Sequence, residues 1–207
     1  KSLGVKSSKG LDGASVCIQT GTTTELNLAE YFKGNNIKYN PVPIETNAEA
    51  QELYKAGRCD VYTTDASGLY ATMMSFDNPS DHMVLPEIVS KEPLGPVVRH
   101  GDDQWADIVS WVLRAMMAAE EKGITSKNVK ELAAKDNKDK EINRLLGKDP
   151  LQGLSKLGLS PDWAVNVISQ VGNYQESFEK HLFPLTIKRG MNALYRDGGL
   201  HYIPPIK

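Results

Sequence analysis

No apolar run in this 207-residue chain approaches the ~18 residues that a membrane-crossing helix needs. Neither sign of charge is in excess. Lys and Arg number 24, Asp and Glu 26, the formal net charge is -2, and the two signs are interspersed. Without a basic field or polybasic stripe, neither a nucleic-acid partner nor a membrane-surface partner is expected. Cysteine is scarce, with only Cys17 and Cys59. Their spacing fits no zinc pattern and no Cys-x-x-Cys redox pair, which leaves two core thiols or one disulfide. Repeats and low-complexity tracts are missing. So are an initiating Met and a signal-peptide pattern, since the chain opens Lys1-Ser2-Leu3-Gly4. The expectation is a removed leader or a piece of a longer chain.

What remains is 40% apolar content, enough for one larger domain or two small ones with real cores. Residues 1–12 are polar and rich in Lys and Ser. Ala14 to Gln19 is a short apolar run ending in a turn signal, hence a buried strand. From Thr23 the period becomes helical and runs to Gly34-Asn35-Asn36, a helix stop. A second strand is read over Tyr39 to Glu45, limited by Pro41 and Pro43. A helix follows over Ala48 to Ala56, a strand over Cys59 to Thr64 and a helix over Ala66 to Phe76. Alternation at these lengths implies βαβ units and a parallel sheet, with both cysteines on strands of that sheet. That placement favours the disulfide. Beyond Lys91-Glu92-Pro93-Leu94-Gly95-Pro96, a boundary signal, Val97-Val98-Arg99 reads as a short strand. The rest is almost all helix. Trp105, Ile108, Val109, Val112, Leu113 and Met116 form one apolar stripe, and further helices are expected near 125–134, 138–147, 161–181 and 186–196.

Right-handed crossovers put the loops after the strands on one sheet edge, where open α/β sheets bind ligands. Those loops hold Gly21-Thr22-Thr23-Thr24 and Thr63-Thr64-Asp65. The first turn joins a strand to a helix start, where unpartnered amides and the helix dipole favour an anion. One threonine suffices for an ordinary N-cap; three exceed what capping needs. No Lys follows at the P-loop position. Asp65 either caps the next helix or receives an ammonium group. A cradle for an anion and a carboxylate on one edge complement a zwitterion, the α-carboxylate and α-ammonium of an amino acid.

Catalytic patterns are weak. His82, His100, His181 and His201 are scattered, and none lies beside a nucleophile in a known arrangement. Ser67 lacks the preceding Gly of a nucleophile elbow. Asp102 and Asp103 precede a helix, where acids are ordinary. Trp105, Trp111 and Trp163 read as packing residues. No catalytic residue, metal or cofactor is expected.

Four strings resemble a known family: Gly21-Thr22-Thr23-Thr24-Glu25-Leu26-Asn27-Leu28, Gly57 to Leu69, Ile88 to Arg99 and Gly101-Asp102-Asp103-Gln104-Trp105. So do Val171-Gly172-Asn173-Tyr174, Arg189 to Leu194, Gly198-Gly199-Leu200 and Pro204-Pro205. They are similar to the general L-amino-acid-binding periplasmic proteins, the solute receptors of polar amino-acid ABC importers, and cover essentially the whole chain. The resemblance implies an α/β, type II periplasmic-binding-protein-like fold, in which two lobes close on the ligand around a two-strand hinge. It implies a leading linker or hinge over 1–9, a complete second lobe over 10–92, a hinge over 93–97, and a helical returning segment of the first lobe over 98–207. It maps Thr20, Gly21, Thr22, Thr23, Thr24, Thr64 and Asp65 to ligand binding, with Thr23 on the carboxylate and Asp65 on the α-amino group. It also implies a Cys17–Cys59 disulfide and a periplasmic location. The expected partners are an L-amino acid, the membrane permease subunits, and a second copy or a complementing N-terminal half, because the family's opening part of lobe one is absent. The function implied is capture of L-amino acids for import. The rivals are a sensor or scaffold domain that does not bind ligand, and an enzyme on the same fold, such as a dehydratase, which would need a second acid or base that the strand-end loops do not offer.

Overall fold

Three strands alternate with three helices at the start of the chain, in a computed structural model that describes residues 3–149 and 154–206. The parts of the predicted leading linker at 1–2 and of the helical segment at 150–153 and 207 lie outside the described residues. The chain divides into two compact units, Lys1–Leu94 and Gly95–Lys207.

In the first unit β1 (Ser15–Gln19), α1 (Thr23–Gly34), β2 (Asn40–Ile44), α2 (Asn47–Lys55), β3 (Val61–Tyr62) and α3 (Ala66–Met74) follow in order. The sheet is parallel throughout, in the order β2-β1-β3. The chain therefore moves from β1 to one side, then crosses back over β1 to reach β3. Right-handed crossovers of opposite sense place α1 and α2 on opposite faces. The two-residue side-chain period of β1 agrees. Val16 and Ile18 pack with Leu28 and Phe32 of α1. Cys17 packs with Ile44, Ala50 and Cys59 on the α2 face. Cys17 and Cys59 form a disulfide with their Cα atoms 5.6 Å apart, pinning β1 to the approach of β3.

Pro41 and Pro43 alternate with the ladder residues of β2. Asn40 donates to Ala14 and Thr20 donates to the Ile44 carbonyl, so β2 keeps its bonds to β1. The prolines then remove donors from its outer side. The third strand is shorter than the sequence implies. At its start the Asp60 carboxylate takes the Ser15 amide at 2.8 Å and the Ser15 hydroxyl at 2.6 Å, so a side chain replaces a ladder carbonyl. Those bonds hold the Asp60 pKa below the usual carboxylate range.

The second unit is built from α4 (Asp103–Glu121), α5 (Val129–Ala134), α6 (Lys140–Leu145), α7 (Trp163–Val171) and α8 (Tyr174–Leu182). Its core gathers Ala115, Ala118, Ala119, Ile124, Trp163, Ala164 and Ile168 with Leu194, Ile203 and Ile206 of the tail. Here the sequence reading needs four corrections. Val97-Val98-Arg99 is not a strand, because no partner strand adjoins it among the described residues; Val97 is 97% exposed. Trp105 is not core. Among the described residues it is 52% exposed. The helix expected over 161–181 breaks in two at Gly172 (φ +85°), after which Asn173 and Glu176 start α8 with a reciprocal capping box. The stretch near 186–196 holds two short 3-10 turns, Gly190–Asn192 and Tyr195–Asp197, in place of a helix.

Among the described residues, no helix is long and apolar enough to cross a membrane.

Candidate ligand-binding site

The sheet order reverses at β1. A crevice between β1 and β3 at their carboxyl ends is therefore the topological switch point of the first unit. The turn after β1 leads into α1 and the turn after β3 into α3, so two helix N-termini open on neighbouring strand ends. Adjacent strands lie only about 4.8 Å apart.

The first turn is built around Gly21, whose φ of +71° lies in the left-handed region. Only glycine adopts this at no steric cost. Thr22 is the N-cap of α1. Its hydroxyl donates to the Gln19 carbonyl at 2.8 Å and accepts from the Glu25 amide at 3.3 Å. Glu25 folds back so that its carboxylate accepts from the Gly21 amide at 2.8 Å. Thr20 is also committed, since its amide and hydroxyl both donate to the Ile44 carbonyl. The structure thus splits the threonines. Thr20 and Thr22 brace the turn. The Thr23 and Thr24 hydroxyls have no hydrogen-bond partner among the described residues, and the amides of Thr23 and Thr24 have none within the helix.

The second turn is different. Asp65 occupies the N-cap position of α3, but its side chain makes no capping bond. The carboxylate is exposed and has no hydrogen-bond partner among the described residues. The plain capping explanation for Asp65 therefore fails on geometry. Tyr62 lies alongside. Its hydroxyl donates to Asn47 at 3.2 Å. Burial raises the Tyr62 pKa, and the nearby Asp65 charge adds to that rise. Asp65 is thus the open carboxylate acceptor of this turn.

Sequence reasoning missed the roles of Glu25 and Tyr62. The signal for Glu25 was present as Thr-x-x-Glu at residues 22–25, the spacing of a capping box. The same spacing recurs at the start of α2. There the Thr46 hydroxyl accepts from the Glu49 amide, and the Glu49 carboxylate from the Glu45 amide. Position 68 at the start of α3 is Gly where the other two helices carry Glu, so the third turn has no such lock.

Chemically, the edge offers amide and hydroxyl donors at a positive helix end beside an unpaired carboxylate. It holds donors for an anion and an acceptor for a cation.

No family model matches the chain. Among characterised relatives, the General L-amino acid-binding periplasmic protein AapJ of Rhizobium johnstonii is 55% identical over 211 residues, covering 100% of this chain and 61% of the relative. The Glutamate/glutamine/aspartate/asparagine-binding protein BztA of Rhodobacter capsulatus is 53% identical, covering 100% and 62%. The Putative amino-acid ABC transporter-binding protein YhdW of Escherichia coli K12 is 52% identical, covering 99% and 60%. A solved ABC transporter periplasmic binding protein from Brucella ovis, with glutathione bound, superposes with a TM-score of 0.90 at 50% identity, covering 99% of this chain and 64% of that one. The fold is therefore of the periplasmic-binding-protein kind, and the relatives carry the names of binding proteins, not enzymes. The chain spans about three fifths of the length of the curated relatives it matches.

Proposed function

We propose, from homology to amino-acid-binding periplasmic proteins of ABC transporters, that this chain belongs to a solute receptor that captures L-amino acids in the periplasm for import. The turn Gly21–Thr24 receives the α-carboxylate and Asp65 receives the α-ammonium. Thr20 and Thr22 hold the first turn, and Thr64 lines the second beside Asp65. Residues 1–9 and 93–97 act as hinges, and the membrane permease is the downstream partner.

The observation that carries the ligand assignment is the uncommitted Asp65 carboxylate. An N-cap Asp that does not cap gives up a favourable bond, and an incoming cation compensates. Glutathione, bound by the Brucella ovis relative, supports the same chemistry. Its γ-glutamyl end carries a free α-amino and a free α-carboxyl group. Recognition of that head group alone leaves the side chain free to vary, in keeping with the several amino acids in the BztA name.

Calorimetric titration with a panel of L-amino acids tests this reading. Binding without turnover is expected. Asp65→Ala or Thr23→Val should each weaken binding about 10- to 100-fold, the range for one lost hydrogen bond to a charged group. A folded chain that binds no amino acid would sink the reading in favour of a sensor or scaffold domain.

Exposed apolar residues of the second unit, including Trp105 and Leu113 on α4, call for a partner. We assign that role to a complementing segment equivalent to the part of its relatives that this chain does not span. A monomer in size-exclusion chromatography that takes up such a segment is expected, and a tight homodimer covering α4 would contradict it.

A further inference from the structure

Four residues of the turn from β1 to α1, Gln19, Gly21, Thr22 and Glu25, are joined by three hydrogen bonds. Thr22 Oγ1 donates to the Gln19 carbonyl at 2.8 Å, the Glu25 amide donates to Thr22 Oγ1 at 3.3 Å, and the Gly21 amide donates to Glu25 Oε2 at 2.8 Å. The last bond matters most. Gly21 is the residue with the greatest backbone freedom, it sits at φ +71°, and a Cβ built on it would meet nothing within 4 Å. Packing therefore does not fix it, and the Glu25 carboxylate does. If that bond opens, Gly21 and the amides after it can sample several orientations.

We propose that Glu25 is a positioning residue of the ligand seat. It holds Gly21 so that the donors of Thr23 and Thr24 face the crevice before any ligand arrives. This rests on the reading of Gly21–Thr24 as the carboxylate seat. Glu25 does not touch the ligand in this account. It lowers the ordering cost that binding would otherwise carry.

The fold supplies an internal control. Glu49 makes the equivalent lock at α2, where its carboxylate accepts from the Glu45 amide at 3.0 Å. That turn follows β2, on the far side of β1 from β3 and away from the switch point. A general loss of helix capping would act at either place. Loss of a positioned seat acts only at Glu25.

The test uses the 207-residue chain, 15N-labelled and titrated with L-glutamine, with amide shifts at residues 22–24 and 65 read out alongside thermal melts. Glu25→Ala should weaken binding about tenfold, with Gly21 amide exchange accelerated. Glu25→Gln, whose amide oxygen still accepts from Gly21, should recover most of that loss. Glu25→Asp, one methylene too short, should not. Glu49→Ala should leave affinity within about twofold while lowering the melting temperature as much as Glu25→Ala does. Glu25→Ala binding as tightly as wild type, with Thr23→Val still defective, would overturn the positioning role alone. Equal losses in Glu25→Ala and Glu49→Ala would reduce it to ordinary capping and overturn it too. No ligand shifts in the wild-type chain, or none lost in Thr23→Val, would overturn the seat itself and this inference with it.

Discussion

Reducing the Cys17–Cys59 disulfide should destabilise the first unit by about 4 kcal/mol. The bond closes a loop of sequence separation 42. Chain-entropy arithmetic for a loop of that length gives roughly 13 cal/mol/K, or about 4 kcal/mol at room temperature. Both cysteines are almost fully buried among Ile44, Ala50 and their neighbours, so reduction changes few contacts and leaves the entropic effect exposed. With a urea m-value of about 2 kcal/mol/M, the midpoint should fall by about 2 M. Tryptophan emission reports on the second unit alone, because Trp105, Trp111 and Trp163 all lie in Gly95–Lys207, whereas the eight tyrosines fall in both units. Urea titrations of oxidised and dithiothreitol-treated protein should therefore show the shift in hydrogen exchange of residues 14–19, with a smaller shift in tryptophan emission. A midpoint change below about 0.5 M in the exchange of residues 14–19 would refute the reasoning. So would a shift confined to tryptophan.

Other expectations follow from the second unit. Glu120 and Arg189 form a buried ion pair at 2.8 Å, with side chains 5% and 15% exposed. Glu120→Ala leaves the guanidinium without that partner and should cost about 3 kcal/mol in chemical denaturation followed by tryptophan emission. His201 stacks edge-on against Tyr174, and its Nδ1 is buried without a hydrogen-bond partner among the described residues. Burial, with the nearby Arg189 charge, lowers the His201 pKa below 6.5. A folded value depressed below the unfolded one means that stability is full above about pH 6.5 and declines as pH falls from there towards the folded value. His201→Phe should flatten that part of the stability–pH profile, and an unchanged slope would contradict the assignment. Gly199→Ala would put a Cβ 1.9 Å from the Ala193 carbonyl oxygen, whereas Gly198 (φ +85°) has open space around it. The first substitution should cost about 3 kcal/mol and the second about 1 kcal/mol in the same denaturation assay.

Local chemistry made α1 legible in the sequence. The start at Thr23 and the end at Gly34 were both read correctly, because threonine, Glu25 and Gly34-Asn35-Asn36 are short-range signals. Features that depend on neighbours were read less well. Val97-Val98-Arg99 has strand composition but no adjoining strand among the described residues, and Trp105 sits on an amphipathic stripe yet is half exposed. At Asp65 the position was legible and the role was not. The N-cap location was legible, but whether the carboxylate bonds its own helix depends on a side-chain torsion that no pattern encodes. At Thr22 the plain capping role holds, and the surplus hydroxyls are those of Thr23 and Thr24. The Thr-x-x-Glu spacing at residues 22–25 marks a capping box, but which backbone amide the Glu25 carboxylate reaches depends on how the turn folds.

The central claim is that the edge recognises both charges of an amino-acid head group. Blocking one charge at a time tests it most directly. Calorimetric affinities of the wild-type chain should be compared for L-glutamine, N-acetyl-L-glutamine and L-glutamine amide, with Asp65→Ala alongside. Each blocked ligand should bind at least about tenfold more weakly than L-glutamine. Asp65→Ala should lose its discrimination against the N-acetyl form while still preferring a free carboxylate. N-acetyl-L-glutamine binding as tightly as L-glutamine would contradict the account.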